Sequence, residues 1–343
     1  MRVGTVVTTI QHPTPALLEI ASHLESTEEP LYIVGDKKSP PNFAIRFGQY
    51  FSAQAQEGLP WTTAKKLPWN SYSRKMLGYL IAVNEGCTYI RETDDDNRPL
   101  SAFFYLPTEI NHVRIPDSSE LWINPYSYFS NTDIWPRGLP LEKVLAKPQE
   151  FSLGTISSKN IGVYQGLANG SPDVDAIYRL TRSDVSDFQF DDLLPLLIPR
   201  DCYTPFNSQA TFWNVELLPL MYLPATCSFR MTDIWRSFIA LRVMRETSFS
   251  LVFTSATMYQ DRNEHNLLKD FESEVAGYLG NDKIIEALNQ LHLEPSDNDL
   301  AANLRVIYLR LVELGFFAVL ELEILEDWLM DCASLLSKKV DNE

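Results

Sequence analysis

The chain has 343 residues, 45% of them hydrophobic and 22% charged, which suits a globular protein with a sizeable buried core and excludes a disordered one. A formal net charge of −16 argues against broad binding of nucleic acid, which needs clustered Lys and Arg to displace counterions. It leaves room for a phosphate-bearing ligand held by a few local cations or a metal.

Cys87, Cys202, Cys227 and Cys332 are far apart and make no CxxC pair, so neither structural zinc nor a disulfide framework is expected. The opening MRVGTVVTTI is too short for a signal sequence or a membrane span. The expectation is a cytoplasmic protein, or one working at the inner face of a membrane by peripheral association.

Val3–Ile10, rich in Val and Thr, reads as a first strand. Leu17, Leu18, Ala21 and Leu24 follow at helical spacing. Leu31–Val34 is a short apolar run ended by Gly35-Asp36, a buried second strand closing in a polar turn. From Tyr72 to Glu85, Met76, Leu77, Leu80, Ile81 and Val83 suit a helix with Arg74 and Lys75 near its start. Cys87–Arg91 reads as a further strand running into Glu92-Thr93-Asp94-Asp95-Asp96-Asn97. Strand and helix in alternation predict an α/β fold with a mainly parallel sheet. Ligands of such sheets gather at the carboxyl ends of the strands, where Asp36 and the acidic run both fall.

Leu100 to Phe229 is rich in Pro, aromatic residues and polar turns, and predicts short strands and long loops. From Asp282 the pattern is helical, broken at Pro295-Ser296-Asp297-Asn298-Asp299 and at Gly315. No internal repeat is present.

Three places combine residues that can carry chemistry. Asp94, Asp95 and Asp96 after a strand repel one another unless something cationic neutralises them. Mg²⁺ or Mn²⁺ takes such oxygen ligands together with substrate phosphates; an exposed acidic loop has the same sequence. Arg74 and Lys75 oppose the dipole of the helix they begin. They suit a bound anion there, or a pair of solvent-facing cations. In Phe229-Arg230-Met231-Thr232-Asp233-Ile234-Trp235-Arg236, Asp233 suits a catalytic base or a sugar-hydroxyl acceptor. It suits equally an ion-pair partner of Arg230 or Arg236. His265 stands alone and is read as an ordinary polar residue.

These blocks match a known pattern. PWNSYSRKMLGYL (Pro68–Leu80) followed by ETDDDN (Glu92–Asn97) resembles the STELLO family of glycosyltransferases. The resemblance continues through Gln165–Arg182, Tyr203–Gln209, Ser228–Arg236 and the Gly-Phe-Phe and Asp-Trp-Leu of Glu313–Asp331. It thus spans nearly the whole chain in one order. More distantly the chain is similar to the reversibly glycosylated polypeptides, which include UDP-arabinopyranose mutases. Shared with them are the Arg-Lys pair, the triple Asp, the Asp-x-Asp-Ala segment at Asp173–Ala176 and an Asp-hydrophobe-Trp element.

The resemblance implies a GT-A-like nucleotide-sugar-binding sheet with flanking helices and a helical C-terminal region. The catalytic domain would cover 1–280, with a nucleotide-binding half at about 1–110 and an acceptor-side half at about 111–280; residues 281–343 would be the helical region. It implies metal at Asp94 and Asp96, and nucleotide-sugar contacts from Asp36, Arg74, Lys75, Asp94 and Asp95, with Asp233 at the reacting centre. Met76 stands where the RKNIGYL version has Asn, so no side-chain contact carries over from that position. The plant proteins' membrane anchor and Golgi setting are not carried over either.

The function so implied is Mn²⁺- or Mg²⁺-dependent transfer of a sugar from a nucleotide diphosphate donor, a UDP-sugar by preference, to a glycan or lipid-linked glycan hydroxyl in surface polysaccharide synthesis. A nucleotide-sugar mutase is the alternative, with a sugar carried transiently on Arg179 or Arg182. A third reading is a non-catalytic scaffold, whose Leu- and Glu-rich C-terminal helices would dock partners or form a homodimer.

Overall fold

The computed structural model describes residues 1–107, 110–117, 120–182, 187–261, 266–295, 297 and 299–340. Strand β1 (Val3–Thr8) is buried along nearly its whole length. Helix α1 (Pro15–Thr27) starts where Thr14 accepts a hydrogen bond from Leu17 N at 3.1 Å, with Pro15 in its first turn. A polar cap and a proline that needs no donor are both favourable at a helix start. The buried stripe is Leu17, Ile20, Ala21 and Leu24. Leu18, expected within it, lies on the outer face, 47% exposed.

Strands β2 (Leu31–Val34) and β3 (Gln49–Phe51) and the short helices α2 (Ala53–Glu57) and α3 (Thr62–Lys66) follow. The expected helix over 72–85 is a single 3-10 turn, Tyr72–Arg74, continued by α4 (Lys75–Asn84). Gly78 lets α4 approach the sheet closely, since a Cβ there would stand 2.4 Å from Val6 Cγ1. Strand β4 (Tyr89–Asp94) runs further than the apolar pattern suggested, so Asp94 is its last residue.

Successive side chains of a strand point to opposite faces. Val6 and Tyr32 accordingly pack with α4, while Val7, Leu31 and Ile33 pack with α1. The result is a layer of helix on each face of the sheet. Thr8 pairs with Val34 on one side and with Asp94 on the other. The carboxyl ends of three adjacent parallel strands therefore form one edge.

Beyond β4 come β5 (Asn97–Pro99), β6 (Ile110–Pro116), β7 (Phe151–Ile156) and β8 (Ile161–Gly170). Next are α5 (Ala176–Thr181), β9 (Leu196–Leu197), β10 (Ala210–Asn214), α6 (Thr232–Met244) and β11 (Ser250–Gln260). Among the described residues there is one eleven-stranded sheet, in the order β3-β2-β1-β4-β10-β8-β11-β9-β6-β7, with β5 on β11. The first four strands of that order are parallel, and β10 runs against both β4 and β8. The sheet is mixed rather than mainly parallel.

The middle region holds more regular structure than its composition indicates. β8 has ten residues, nearly all buried, and a strand covered on both faces has no polar alternation to reveal it. The helical end begins earlier than expected, with α7 (Leu267–Gln290), followed by α8 (Leu300–Glu313) and α9 (Leu320–Val340). The expected break at 295–299 lies between α7 and α8, with Ser296 and Asn298 outside the described residues. Among the described residues no helix is long and apolar enough to cross a membrane. All four cysteines are free thiols.

Candidate functional site

The acidic run sits on the edge made by β1, β2 and β4. Asp94 Oδ1 accepts from Lys75 Nζ at 2.9 Å and from the Tyr72 hydroxyl at 2.7 Å. Lys75 is fully buried and also donates to the Ser208 carbonyl at 3.1 Å, while Asp94 keeps a third of its side chain exposed. A buried ammonium is costly unless paired, so the start of α4 is built around this carboxylate.

Asp95 Oδ2 accepts from Thr9 Oγ1 at 2.5 Å, and its carbonyl accepts from Thr14, which fixes the turn against β1 and α1. Asp96 accepts from Asn97 Nδ2 at 3.2 Å and Gln260 Nε2 at 3.3 Å. Burial raises the Asp95 carboxyl. Burial, with Asp94 next to it, pushes the Asp96 carboxyl up to about 6. Uncompensated negative charge of this kind is what a divalent cation relieves.

Among the described residues no three His, Cys, Asp or Glu side chains converge as a metal cage. The donor set does fit a hard ion that takes one or two carboxylates and completes its shell with substrate phosphate oxygens.

Two other expected contact residues, Arg74 and Asp36, have partners within the protein. Arg74 does not face the edge. It is buried beneath Trp69, its guanidinium carbon 3.5 Å from the ring centroid, and it donates to Gln56 Oε1 and the Leu67 carbonyl. Burial lowers its pKa to about 10. The reason is the 3-10 turn, which directs Arg74 and the next residue, Lys75, to different sides. Asp36 accepts from the amides of Lys37, Asn70 and Ser71 at 2.6, 2.8 and 3.2 Å. It clasps the turn at Asn70, whose φ of 56° lies in the left-handed region.

Asp233 stands in the first turn of α6 and is 7% exposed. Its partner is neither Arg230 nor Arg236 but Arg137, which donates to Oδ1 at 3.0 Å and Oδ2 at 3.3 Å. Arg230 pairs instead with Glu274 on α7, and Arg236, one turn along α6, with Glu92 on β4. Arg137 also grips Asp173 with two hydrogen bonds, at 2.9 and 2.8 Å. Burial would raise the Asp173 carboxyl, but Arg137 outweighs it and holds the group well below the usual carboxylate range.

Asp94 and Asp233 belong to one cleft of about 110 Å³, lined in part by Arg137, Asp173, Arg179 and Arg230. Tyr72 and Ser208 join its two sides. The Tyr72 hydroxyl lies 2.5 Å from Ser208 Oγ, which lies 3.3 Å from Asp233 Oδ2. Burial, then Asp94 and Asp233 beside it, push the Tyr72 phenol well above its ordinary value, so it stays protonated.

Arg179, one of the two candidate sugar-carrying arginines, lines this cleft. Arg182 lies instead near Trp135, 6.0 Å from its ring centroid. His265 lies outside the described residues.

Sequence reasoning missed Arg137, Ser208 and the roles of Tyr72 and Asp173. Asp173 had a signal, since the Asp-x-Asp-Ala segment was visible. Arg137 had none, because it comes from an irregular loop far from its partners in sequence.

Residues 230–339 match the family described as STELLO glycosyltransferases. Two curated relatives come from Arabidopsis thaliana. "Probable glycosyltransferase STELLO1" is 26% identical over 258 residues, which cover 70% of this chain and 33% of the relative. "Probable glycosyltransferase STELLO2" is 25% identical over 344 residues, covering 95% of this chain and 44% of the relative. The chain thus spans less than half the length of the curated relatives it matches. Among solved structures, M. tuberculosis glucosyl-3-phosphoglycerate synthase superposes with a TM-score of 0.41 at 9% identity, over 84% of this chain and 79% of that one. That likeness is too loose to bear on the site. In sequence this chain is thus similar to STELLO glycosyltransferases, through a family match over 230–339 and two relatives at 25–26% identity.

Proposed function

We propose that this chain is a glycosyltransferase of GT-A type that moves a sugar from a nucleotide diphosphate donor to an acceptor hydroxyl. The observation that carries the reading is one cleft with Asp94, held from beneath by buried Lys75, at one side and Asp233 at the other. Kinship with the STELLO-type family supports the same class of reaction.

In this reading the donor diphosphate lies along the edge of Asp94 and Asp96. A Mn²⁺ or Mg²⁺ held by those carboxylates would supply charge stabilisation to the departing nucleotide. Lys75 fixes Asp94 from below, and protonated Tyr72 fixes it from the side of the cleft. The acceptor hydroxyl meets Asp233, which takes its proton or orients it, while Arg137 keeps the carboxylate in one position. Donor specificity for a UDP-sugar and an acceptor of glycan or lipid-linked glycan type rest on family kinship alone.

The mutase reading is kept for one observation, the presence of Arg179 in the cleft. Such an enzyme needs an enzyme nucleophile and no second substrate. The deciding experiment incubates purified protein with a panel of nucleotide sugars and Mn²⁺, reading thermal stabilisation first and product second. Release of nucleotide that depends on acceptor supports transfer. A ring-isomerised donor without acceptor supports the mutase, and no stabilisation by any donor overturns both.

A further inference from the structure

Of the buried acids on the last helix, α9, two are held by amides and hydroxyls of other elements. Glu321 accepts from the backbone amides of Ala225 and Thr226 at 2.9 and 2.7 Å. It also accepts from the Tyr222 hydroxyl at 2.6 Å and the Thr226 hydroxyl at 2.5 Å. Asp331 accepts from the amide and hydroxyl of Thr63 at 2.8 and 2.7 Å, and from Thr62 more weakly. Glu321 is 0% and Asp331 8% exposed. Ten residues apart on one helix, they stand about 15 Å from each other along its axis. Trp328, fully buried between them in sequence, donates to the Pro219 carbonyl at 3.0 Å.

What Glu321 holds runs into the cleft, and what Asp331 holds runs to the residues that fix Asp94. After Thr226 the chain passes Cys227 and Ser228 and reaches Phe229, Arg230 and Asp233, all lining residues. The Arg230 carbonyl accepts from Arg137, the partner of Asp233. Thr63 lies in the first turn of α3, and Leu67 just after that helix gives its carbonyl to Arg74 at 3.0 Å; Lys75, which fixes Asp94, is the next residue. Lys66 on α3 adds ion pairs to Glu323 and Asp327 of α9. A third tie runs between the two held segments, since Leu223 N donates to Met76 Sδ at 3.1 Å.

We infer that α9 is a positioning brace for the active site, with Glu321 holding the acceptor side and Asp331 the donor side. A carboxylate that accepts several backbone amides fixes them strongly, through charge-assisted hydrogen bonds. A plain core helix needs its apolar stripe and has no use for two buried acids. They stand here where the loop at 225–226 and the first turn of α3 must be held still. The kinetic part of this inference rests on the transferase reading; the structural part does not.

The test uses the full chain with Glu321→Gln and Asp331→Asn, and Thr226→Val as a milder variant that leaves the backbone bonds in place. Hydrogen–deuterium exchange comes first. Glu321→Gln is expected to speed exchange at 225–233 by at least about tenfold and to leave 62–75 as in wild type; Asp331→Asn is expected to do the reverse. Kinetics should divide in the same way. Glu321→Gln should lower kcat about tenfold with donor affinity within about twofold, and Asp331→Asn should weaken donor affinity about fivefold with kcat nearly kept. Thr226→Val should show the Glu321→Gln pattern in smaller degree. Uniformly faster exchange across the sheet, or wild-type exchange in both variants, overturns the brace. Should wild type turn over no donor and acceptor pair, the transferase reading fails, and the exchange pattern still decides the brace.

Discussion

Asp94 and Asp233 come from a strand end and a helix start 139 positions apart, yet only two hydroxyls separate them. Tyr72 touches Asp94 at 2.7 Å, Ser208 touches Asp233 at 3.3 Å, and the two hydroxyls lie 2.5 Å apart. The donor-side and acceptor-side carboxylates are thereby held in one hydrogen-bonded unit. Tyr72→Phe removes the link to Asp94 without removing the ring. Turnover should fall by about tenfold to a hundredfold, with thermal stability changed little. Equal turnover by Tyr72→Phe and wild type would reduce the link to packing.

Donor binding should depend on divalent metal and on Asp94 and Asp96 together. Asp94→Asn also strands the Lys75 ammonium, whose one carboxylate contact among the described residues is with Asp94. It should therefore cost stability, by about 1–3 kcal/mol. Asp96→Asn removes charge from a buried acid and should cost little or nothing. Calorimetric titration of donor with Mn²⁺ and with chelator separates the effects. Tight binding by the double variant in chelator would end the metal reading.

The parts of this arrangement that sequence revealed are those carried by local pattern. β1, β2 and α4 announce themselves by apolar runs and helical spacing, and the strand before Asp94 fixes where that residue lies. Asp233 was visible because a carboxylate flanked by aromatic and apolar residues and by two arginines, Arg230 and Arg236, stands out in the sequence. Its partner was not visible, because Arg137 reaches it from an irregular loop around Gly138, whose φ of 95° no periodic pattern encodes. Arg74 was misplaced for a related reason. Sequence treats Arg74 and Lys75 as one basic pair, whereas the 3-10 turn sends one beneath Trp69 and the other to Asp94. Buried ion pairs such as Glu92 with Arg236 join residues far apart in the chain, and composition carries no trace of them.

That Glu92–Arg236 pair locks the strand of Asp94 to the helix of Asp233. Arg236 donates to both Glu92 oxygens, at 2.7 and 3.1 Å, and Trp213 adds a third bond at 2.8 Å. Both charged residues are essentially inaccessible. Arg236→Met leaves a buried carboxylate without its cation and should cost about 3–5 kcal/mol. Arg236→Met combined with Glu92→Gln should recover part of that loss, measurable by urea unfolding. A single variant as stable as wild type would show that the pair is dispensable.

Asp175 gives a pH dependence of definite sign. It caps α5 by accepting from Tyr178 N at 2.7 Å, accepts from Trp135 Nε1 at 2.8 Å, and is fully buried. Burial raises its pKa to about 6, and Glu274 nearby adds to the rise. The folded state therefore binds its proton more tightly than the unfolded chain does. Stability from this group is fully present below the unfolded value near 4 and is lost as pH rises through about 6. Asp175→Asn loses the second acceptor and should be the less stable protein at pH 4. Between pH 4 and 7 its deficit relative to wild type should shrink by on the order of 1–3 kcal/mol. Parallel stability curves for the two proteins over that range would contradict the assignment.

Asp233→Asn and Arg179→Ala together distinguish the two kinds of chemistry. Asp233→Asn keeps the shape and one acceptor oxygen, but it removes the charge that Arg137 grips and cannot take a proton. If Asp233 serves the acceptor hydroxyl, kcat should fall by about a hundredfold or more while donor affinity stays near wild type. Arg179 is bonded to Ser171 Oγ at 2.9 Å and the Pro172 carbonyl at 2.8 Å, an arrangement that fixes it in the cleft wall. Its expected role in transfer is to shape that wall, so Arg179→Ala should raise acceptor KM more than it lowers kcat. Intact-mass measurement after incubation with donor alone should find no added sugar in wild type. A protein heavier by one sugar residue, reverting to the unmodified mass in Arg179→Ala, would replace transfer with the mutase mechanism and make Arg179 its nucleophile.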